Sequence, residues 1–140
     1  MSYRKTMLFL CTGNSCRSQM AEGYARARAG DDVEVLSAGI EAHGQNPRAI
    51  AVMAEDGVDI SGQESTRLTD DMLTRADVLV TVCGHADEHC PVVPTKVEKH
   101  HWPLSDPAKA EGDEAAIMAE FRRVRDDIKQ RVAALLAADS

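Results

Sequence analysis

Apolar residues fall along this chain in two alternating rhythms. Four short runs read as strands: Thr6 to Cys11, Val33 to Ala38, Val78 to Cys83, and a weaker Lys96 to Trp102. The stretches between them carry helical patterns. Ser18 to Ala29 is rich in helix formers and stops before Gly30, a suitable C-terminal cap. Asn46-Pro47 opens a second helix, because proline fits the first helical position, and Gly57 closes it. Thr69-Asp70-Asp71 caps a short third helix that runs to Arg75. The last helix has the strongest pattern. Ile117, Phe121, Val124, Ile128, Val132 and Leu135 recur at steps of three and four, with Arg and Asp between them. Strands alternating with helices predict an α/β fold whose parallel sheet is covered on both faces. Ligands of such sheets bind beyond the carboxyl ends of the strands, where Cys11, Cys83 and the segment after Trp102 fall. No repeat, low-complexity tract or linker interrupts the pattern, so residues 1–140 are expected to form one domain.

Composition changes this picture little. The 140 residues are 44% apolar, 28% charged and 4% aromatic, as in an ordinary soluble globule with little aromatic surface. The net charge of −7 argues against nucleic acid and anionic membranes as partners. It also repels an anionic substrate at long range, so capture would have to rest on a local positive site. The apolar run near the N-terminus is too short for a signal peptide or a spanning helix, which places the protein in the cytoplasm. Structural disulfides are rare there, and four cysteines are better read as catalytic, redox or metal-binding.

The densest chemistry lies at residues 11–18, Cys-Thr-Gly-Asn-Ser-Cys-Arg-Ser, directly after the first strand. A buried strand here delivers a cysteine to a loop, and an arginine follows where a helix can begin. Amides of Thr12, Gly13, Asn14, Ser15, Cys16 and Arg17, with the helix N-terminus, then converge in front of the sulfur. Such a nest binds a tetrahedral oxyanion and favours the thiolate, making Cys11 the candidate nucleophile. Arg17 adds a planar fork that can grip two oxyanion oxygens. Gly13 permits a tight turn, and Asn14 suits a left-handed position. Ser18 reads equally as a hydroxyl donor to the Cys11 thiolate or as the N-cap of the following helix. Cys16 looks like a small filler turned away from the anion. A buried structural cysteine beside a surface arginine is the bland alternative for the whole octet.

The strings CTGNSCRSQMAEG at 11–23, SAGIEAHG at 37–44 and VTVCG at 80–84, with the Cys83/Cys90 pair, resemble the thioredoxin-coupled arsenate reductases. That family shares its fold with the low-molecular-weight protein tyrosine phosphatases. HW at 101–102, DPA at 106–108 and FRRVRDDI at 121–128 extend the resemblance over essentially the whole chain. It implies a single-domain, three-layer α/β fold with a four-stranded parallel sheet. It also implies arsenate as substrate, with phosphate or sulfate as analogues, no bound cofactor, and electrons from thioredoxin and ultimately NADPH. By the same resemblance Cys11 attacks arsenic and Cys83 attacks the Cys11 sulfur, releasing arsenite and leaving a Cys11–Cys83 disulfide. Cys90 then moves the bond to Cys83–Cys90 for thioredoxin to reduce. Asp106, otherwise equally an Asp-Pro turn residue, becomes the general acid that protonates the leaving oxygen. A monomer is expected.

The spacing of the downstream pair has its own consequence. In a helix Cys83 and Cys90 would lie about 10 Å apart along the axis, seven steps of 1.5 Å. A disulfide tolerates at most about 7 Å between Cα atoms, so any helix there must unwind to form one. Gly84 and Pro91 bracket the segment.

Two rival functions stay in view. A tyrosine phosphatase would need aromatic walls, and Asp106-Pro107 is followed by Ala108, although a weak activity toward small aryl phosphates is expected. A Cys/His metal sensor would use Cys83, His85, His89 and Cys90, and would have no need of the octet. His100 and His101 read as packing and surface residues. Members of the resembled family hold a monovalent cation behind the anion loop. Asn14, Glu22 and Ser37 match that site, but Thr66 stands where a carboxylate is expected, so no metal is assigned.

Overall fold

A computed structural model describes residues 4–82 and 97–139. The elements in chain order are β1 (Lys5–Cys11), α1 (Arg17–Arg28), β2 (Val33–Gly39), α2 (Pro47–Glu55), α3 (Asp70–Arg75), β3 (Val78–Thr81), β4 (Glu98–His101), a 3-10 turn (Pro107–Lys109) and α4 (Glu114–Asp139). The four strands form one sheet in the order β2-β1-β3-β4, parallel throughout. This is the α/β architecture that the alternating pattern predicts. Met7, Leu8, Phe9 and Leu10 are all fully buried. Successive strand residues point to opposite faces, so both faces of the sheet are covered at β1.

Local chemistry sets the boundaries. The Asn46 side chain accepts from the N–H groups of Arg48 and Ala49 at the start of α2, and Pro47 occupies the first turn. Thr69 caps α3 in the same way, accepting from the Met72 N–H. Gly57 adopts φ +79° just past α2. In α4, Phe121, Val124, Ile128 and Val132 are buried, while Ile117 and Leu135 pack at the edge of the core. α4 lies against α1 and α2.

Three boundaries depart from the expected ones. β3 ends at Thr81, and Cys83 lies outside the described residues. β4 is shorter than the run from 96 to 102, and its Glu98, Lys99 and His101 are exposed. It is an edge strand, where exposed charge guards against pairing with another sheet, and that charge weakens the apolar signal. α1 begins at Arg17, one residue early, with Cys16 as its N-cap and no side-chain cap bond.

β2 ends beside β1 with Cys11 and Gly39 in register. The chain can turn there only because residue 39 lacks a side chain. A β-carbon on Gly39 would sit 2.2 Å from the Glu41 carbonyl oxygen and 2.7 Å from the Asn14 nitrogen. Both neighbours are backbone and cannot swing aside. Gly39→Ala should therefore destabilise the fold by about 1–3 kcal/mol, as overpacking does. Urea denaturation with an unchanged m value would register the loss. A loss of only a few tenths would mean that the loop yields freely.

Candidate active site

The loop after β1 is built by turning its carbonyls outward. The segment after β2 runs alongside it. Ile40 N–H donates to Cys11 O at 3.1 Å, Glu41 N–H to Thr12 O at 2.9 Å, His43 N–H to Gly13 O at 2.9 Å, and Asn46 N–H to Ser15 O at 2.9 Å. The Gln19 amide takes the Asn14 carbonyl at 2.9 Å. In a trans peptide the N–H and C=O point in opposite directions, so the N–H edge of the loop is turned the other way. That edge borders a pocket of about 510 Å³ lined by Cys11, Thr12, Gly13, Ser15, Cys16, Arg17, His43, Asp106, Ala108 and Lys109. The N-terminus of α1 adds its partial positive charge at the same place.

Asn14 is the hinge of the loop. Its φ of 48° is the only positive value for a non-glycine among the described residues. It is fully buried, and its side-chain amide is hydrogen-bonded through both Nδ2 and Oδ1. Its Nδ2 donates to Ser18 Oγ at 2.8 Å and Ser37 Oγ at 2.9 Å, and its Oδ1 accepts the Thr66 N–H at 2.7 Å. A left-handed residue costs of order 1–3 kcal/mol and persists only where its surroundings over-determine it. This network does so.

Arg17 is 7% exposed. Its Nη1 donates to the Leu104 carbonyl at 3.2 Å, and its Nη2 lies 3.6 Å from Asp106 Oδ2. Its Nε has no hydrogen-bond partner among the described residues. A buried donor without a partner is costly, and Arg17 is one of the residues that line the pocket. Trp102 packs against Phe9 with ring centroids 5.9 Å apart and the planes tilted by 47°, just before the segment that carries Leu104 and Asp106. Asp106 caps the 3-10 turn, its Oδ1 accepting the Ala108 N–H at 3.0 Å.

The predicted residues are thus gathered unequally. Cys11, Thr12, Gly13, Ser15, Cys16, Arg17 and Asp106 share the pocket, while Asn14 and Ser18 stand behind it. Ser18 is not the N-cap of α1, because the helix already begins at Arg17. Its hydroxyl accepts from Asn14 instead. Cys16 lines the pocket as a buried residue of the loop. Burial, then the charges of Asp106 and Cys11, push its thiol far above the ordinary range, against a smaller opposing pull from Arg17. Cys83, His85, His89 and Cys90 lie outside the described residues. His100 and His101 are engaged by Glu98 and Thr81. His43 and Lys109 escape a reading of motifs, yet both border the pocket. The signal for His43 is its place four residues beyond the end of β2, beside Gly13.

A model of the low molecular weight phosphotyrosine protein phosphatase family matches residues 6–139. The chain belongs to that family. An arsenate reductase of Bacillus licheniformis is 54% identical over 129 residues, which are 92% of this chain and 93% of the relative. A solved arsenate reductase in its phosphate-binding state superposes with a TM-score of 0.80 at 36% identity, covering 97% of this chain and 99% of the other. A thioredoxin-dependent arsenate reductase of Corynebacterium glutamicum gives a TM-score of 0.79 at 28% identity, over 98% of this chain and 62% of that one. A tyrosine phosphatase of Erwinia amylovora, 23% identical, shares the fold with a TM-score of 0.81.

The residues matching the family's cation site do come together, but they do not fit a monovalent cation. Glu22 Oε1 accepts from Ser37 Oγ at 2.5 Å, and Glu22 Oε2 accepts from Arg26 Nε at 2.6 Å. Asn14 turns its NH₂ toward the two serines and spends its oxygen on Thr66. A cation needs uncompensated negative charge and oxygens free to face it, whereas here Arg26 already occupies Glu22 and balances its charge.

The contrast between the two described thiols is directly testable. Because its pKa is raised, Cys16 stays a protonated, unreactive thiol between about pH 7 and 9, where free thiols ionise. Iodoacetamide should label Cys11 and spare Cys16 in the folded protein, as read by fragment mass spectrometry. Equal labelling would mean that the loop does not distinguish them.

Proposed function

We propose that the protein reduces arsenate to arsenite through a relay of three thiols and is recycled by thioredoxin, with NADPH as the ultimate electron source. The observation that carries this is the cradle of loop amides, Cys11 and Arg17 in a chain whose near relatives bear the arsenate reductase name. Arsenate enters the pocket as a tetrahedral oxyanion, held by the N–H edge of the loop and by the Arg17 fork. Cys11 is the nucleophile. Its thiolate forms a bond to arsenic while one arsenic–oxygen bond breaks, and Asp106 supplies the proton that lets the oxygen leave as water.

The reduction itself takes two electrons. The Cys83 thiolate attacks the Cys11 sulfur, the sulfur–arsenic pair passes to arsenic, and arsenite departs as a Cys11–Cys83 disulfide forms. Cys90 attacks Cys83, restoring the Cys11 thiolate and leaving Cys83–Cys90 for the thioredoxin dithiol. This part of the relay rests on the two downstream cysteines and the resemblance around them. We place the enzyme in the cytoplasm as a monomer.

Hydrolysis of small aryl phosphates is a second, weaker activity, because the same cradle suits phosphate and water can resolve a phosphocysteine. A phosphotyrosine side chain is disfavoured as substrate. No Phe, Tyr or Trp lines the pocket among the described residues.

Two sets of variants test the reading. Asp106→Asn should lower the rate of the chemical step by roughly 10²–10⁴ while oxyanion affinity stays near wild type. Unchanged turnover in an assay limited by chemistry would make Asp106 a turn residue. Cys83→Ser and Cys90→Ser should each stop multiple-turnover arsenate reduction and leave aryl phosphate hydrolysis intact. Mass spectrometry should find a trapped Cys11–Cys83 disulfide after one turnover of Cys90→Ser, and none in Cys83→Ser. Continued turnover of Cys83→Ser with thioredoxin would refute the relay.

A further inference from the structure

We propose that Arg26 is a positioning residue that takes the place of a monovalent cation, neutralising the buried Glu22 carboxylate and so holding the Glu22–Ser37–Asn14 chain that fixes the anion loop. The chain of contacts is continuous. Glu22 is 6% exposed and sits one helical turn from Arg26 on α1. Arg26 Nε donates to Glu22 Oε2, and its Nη2 donates to the Val35 carbonyl of β2 at 2.7 Å. The guanidinium therefore straps the helix to the strand while cancelling the carboxylate's charge. The other Glu22 oxygen receives the Ser37 hydroxyl hydrogen, and Ser37 Oγ in turn accepts from Asn14 Nδ2. Asn14 is the left-handed hinge of the loop.

Charge makes the strap necessary. A buried carboxylate without a counter-charge repels the electron-rich oxygens around it and loses its hydration. A second carboxylate at residue 66 would draw a cation into the cluster. Here Thr66 contributes its backbone N–H to Asn14 Oδ1, and the negative charge in the cluster is that of Glu22 alone. One guanidinium balances one carboxylate. The cavity of about 440 Å³ beside this cluster is lined by the half-exposed Arg26 and also by Gln63 and the exposed Glu64. Arginine suits the task better than lysine, since its fork reaches a carboxylate and a carbonyl at once. The strap acts in the same way whichever oxyanion the loop takes.

The test uses the full chain and no arsenate, so its failure is separate from failure of the arsenate reading. Melting midpoints are measured in potassium, sodium or tetramethylammonium chloride at equal ionic strength. Cys11 alkylation by iodoacetamide is followed against pH in the same salts. Wild type should respond alike to all three. Arg26→Gln should melt several degrees lower in tetramethylammonium, and its Cys11 reactivity should move to higher pH. Potassium or sodium should restore both in a saturable way. Arg26→Lys, which keeps the charge but loses the fork, should fall between and serves if Arg26→Gln does not fold. Saturable stabilisation of wild type by potassium or sodium would overturn the proposal. So would an Arg26→Gln protein with normal Cys11 reactivity, or one that neither cation rescues.

Discussion

The site depends on one constraint: the carbonyls of residues 11 to 15 must point away from the pocket. Everything around the loop serves that orientation. The segment after β2 supplies four backbone N–H groups to hold the carbonyls, and Gln19 supplies a fifth donor from inside α1. Gly39 allows the two segments to approach within backbone contact. The left-handed Asn14 reverses the chain so that α1 can begin at Arg17 with its N-terminus at the pocket. Turning one peptide around would place a carbonyl oxygen where an anion's oxygen belongs. Repulsion there would outweigh anything the arginine contributes.

Around that loop the charges follow a consistent logic. The chain carries a net charge of −7, yet its pocket presents an arginine, a helix N-terminus, His43 and Lys109. Asp106 is the acidic member, and it is held by a backbone N–H of its own turn. Behind the loop the order is reversed, with a buried carboxylate facing a guanidinium. The pocket is thus lined by positive groups, while the buried charge behind it is balanced.

Much of this was legible from the residues. The helix caps at Asn46 and Thr69, the apolar steps of α4 and the position of Asn14 all follow from local rules of backbone and side-chain chemistry. β4 was faint because an exposed edge strand carries charge instead of alternation. Ser18 is not the N-cap for a different reason. Serine is a good cap by propensity, but a buried asparagine competes for its hydroxyl, and that competition is tertiary. His43, Lys109 and Arg26 were invisible as site residues for the same reason. Each is an ordinary surface type that gains a role only when a distant segment is laid beside it.

Product stoichiometry tests the central claim most directly. The purified protein is supplied with arsenate, thioredoxin, thioredoxin reductase and NADPH, and arsenite is counted against NADPH consumed. One arsenite should form for each NADPH, with no sustained turnover when thioredoxin is left out. Hydrolysis of an aryl phosphate by the same preparation, with arsenate left unreduced, would contradict the claim.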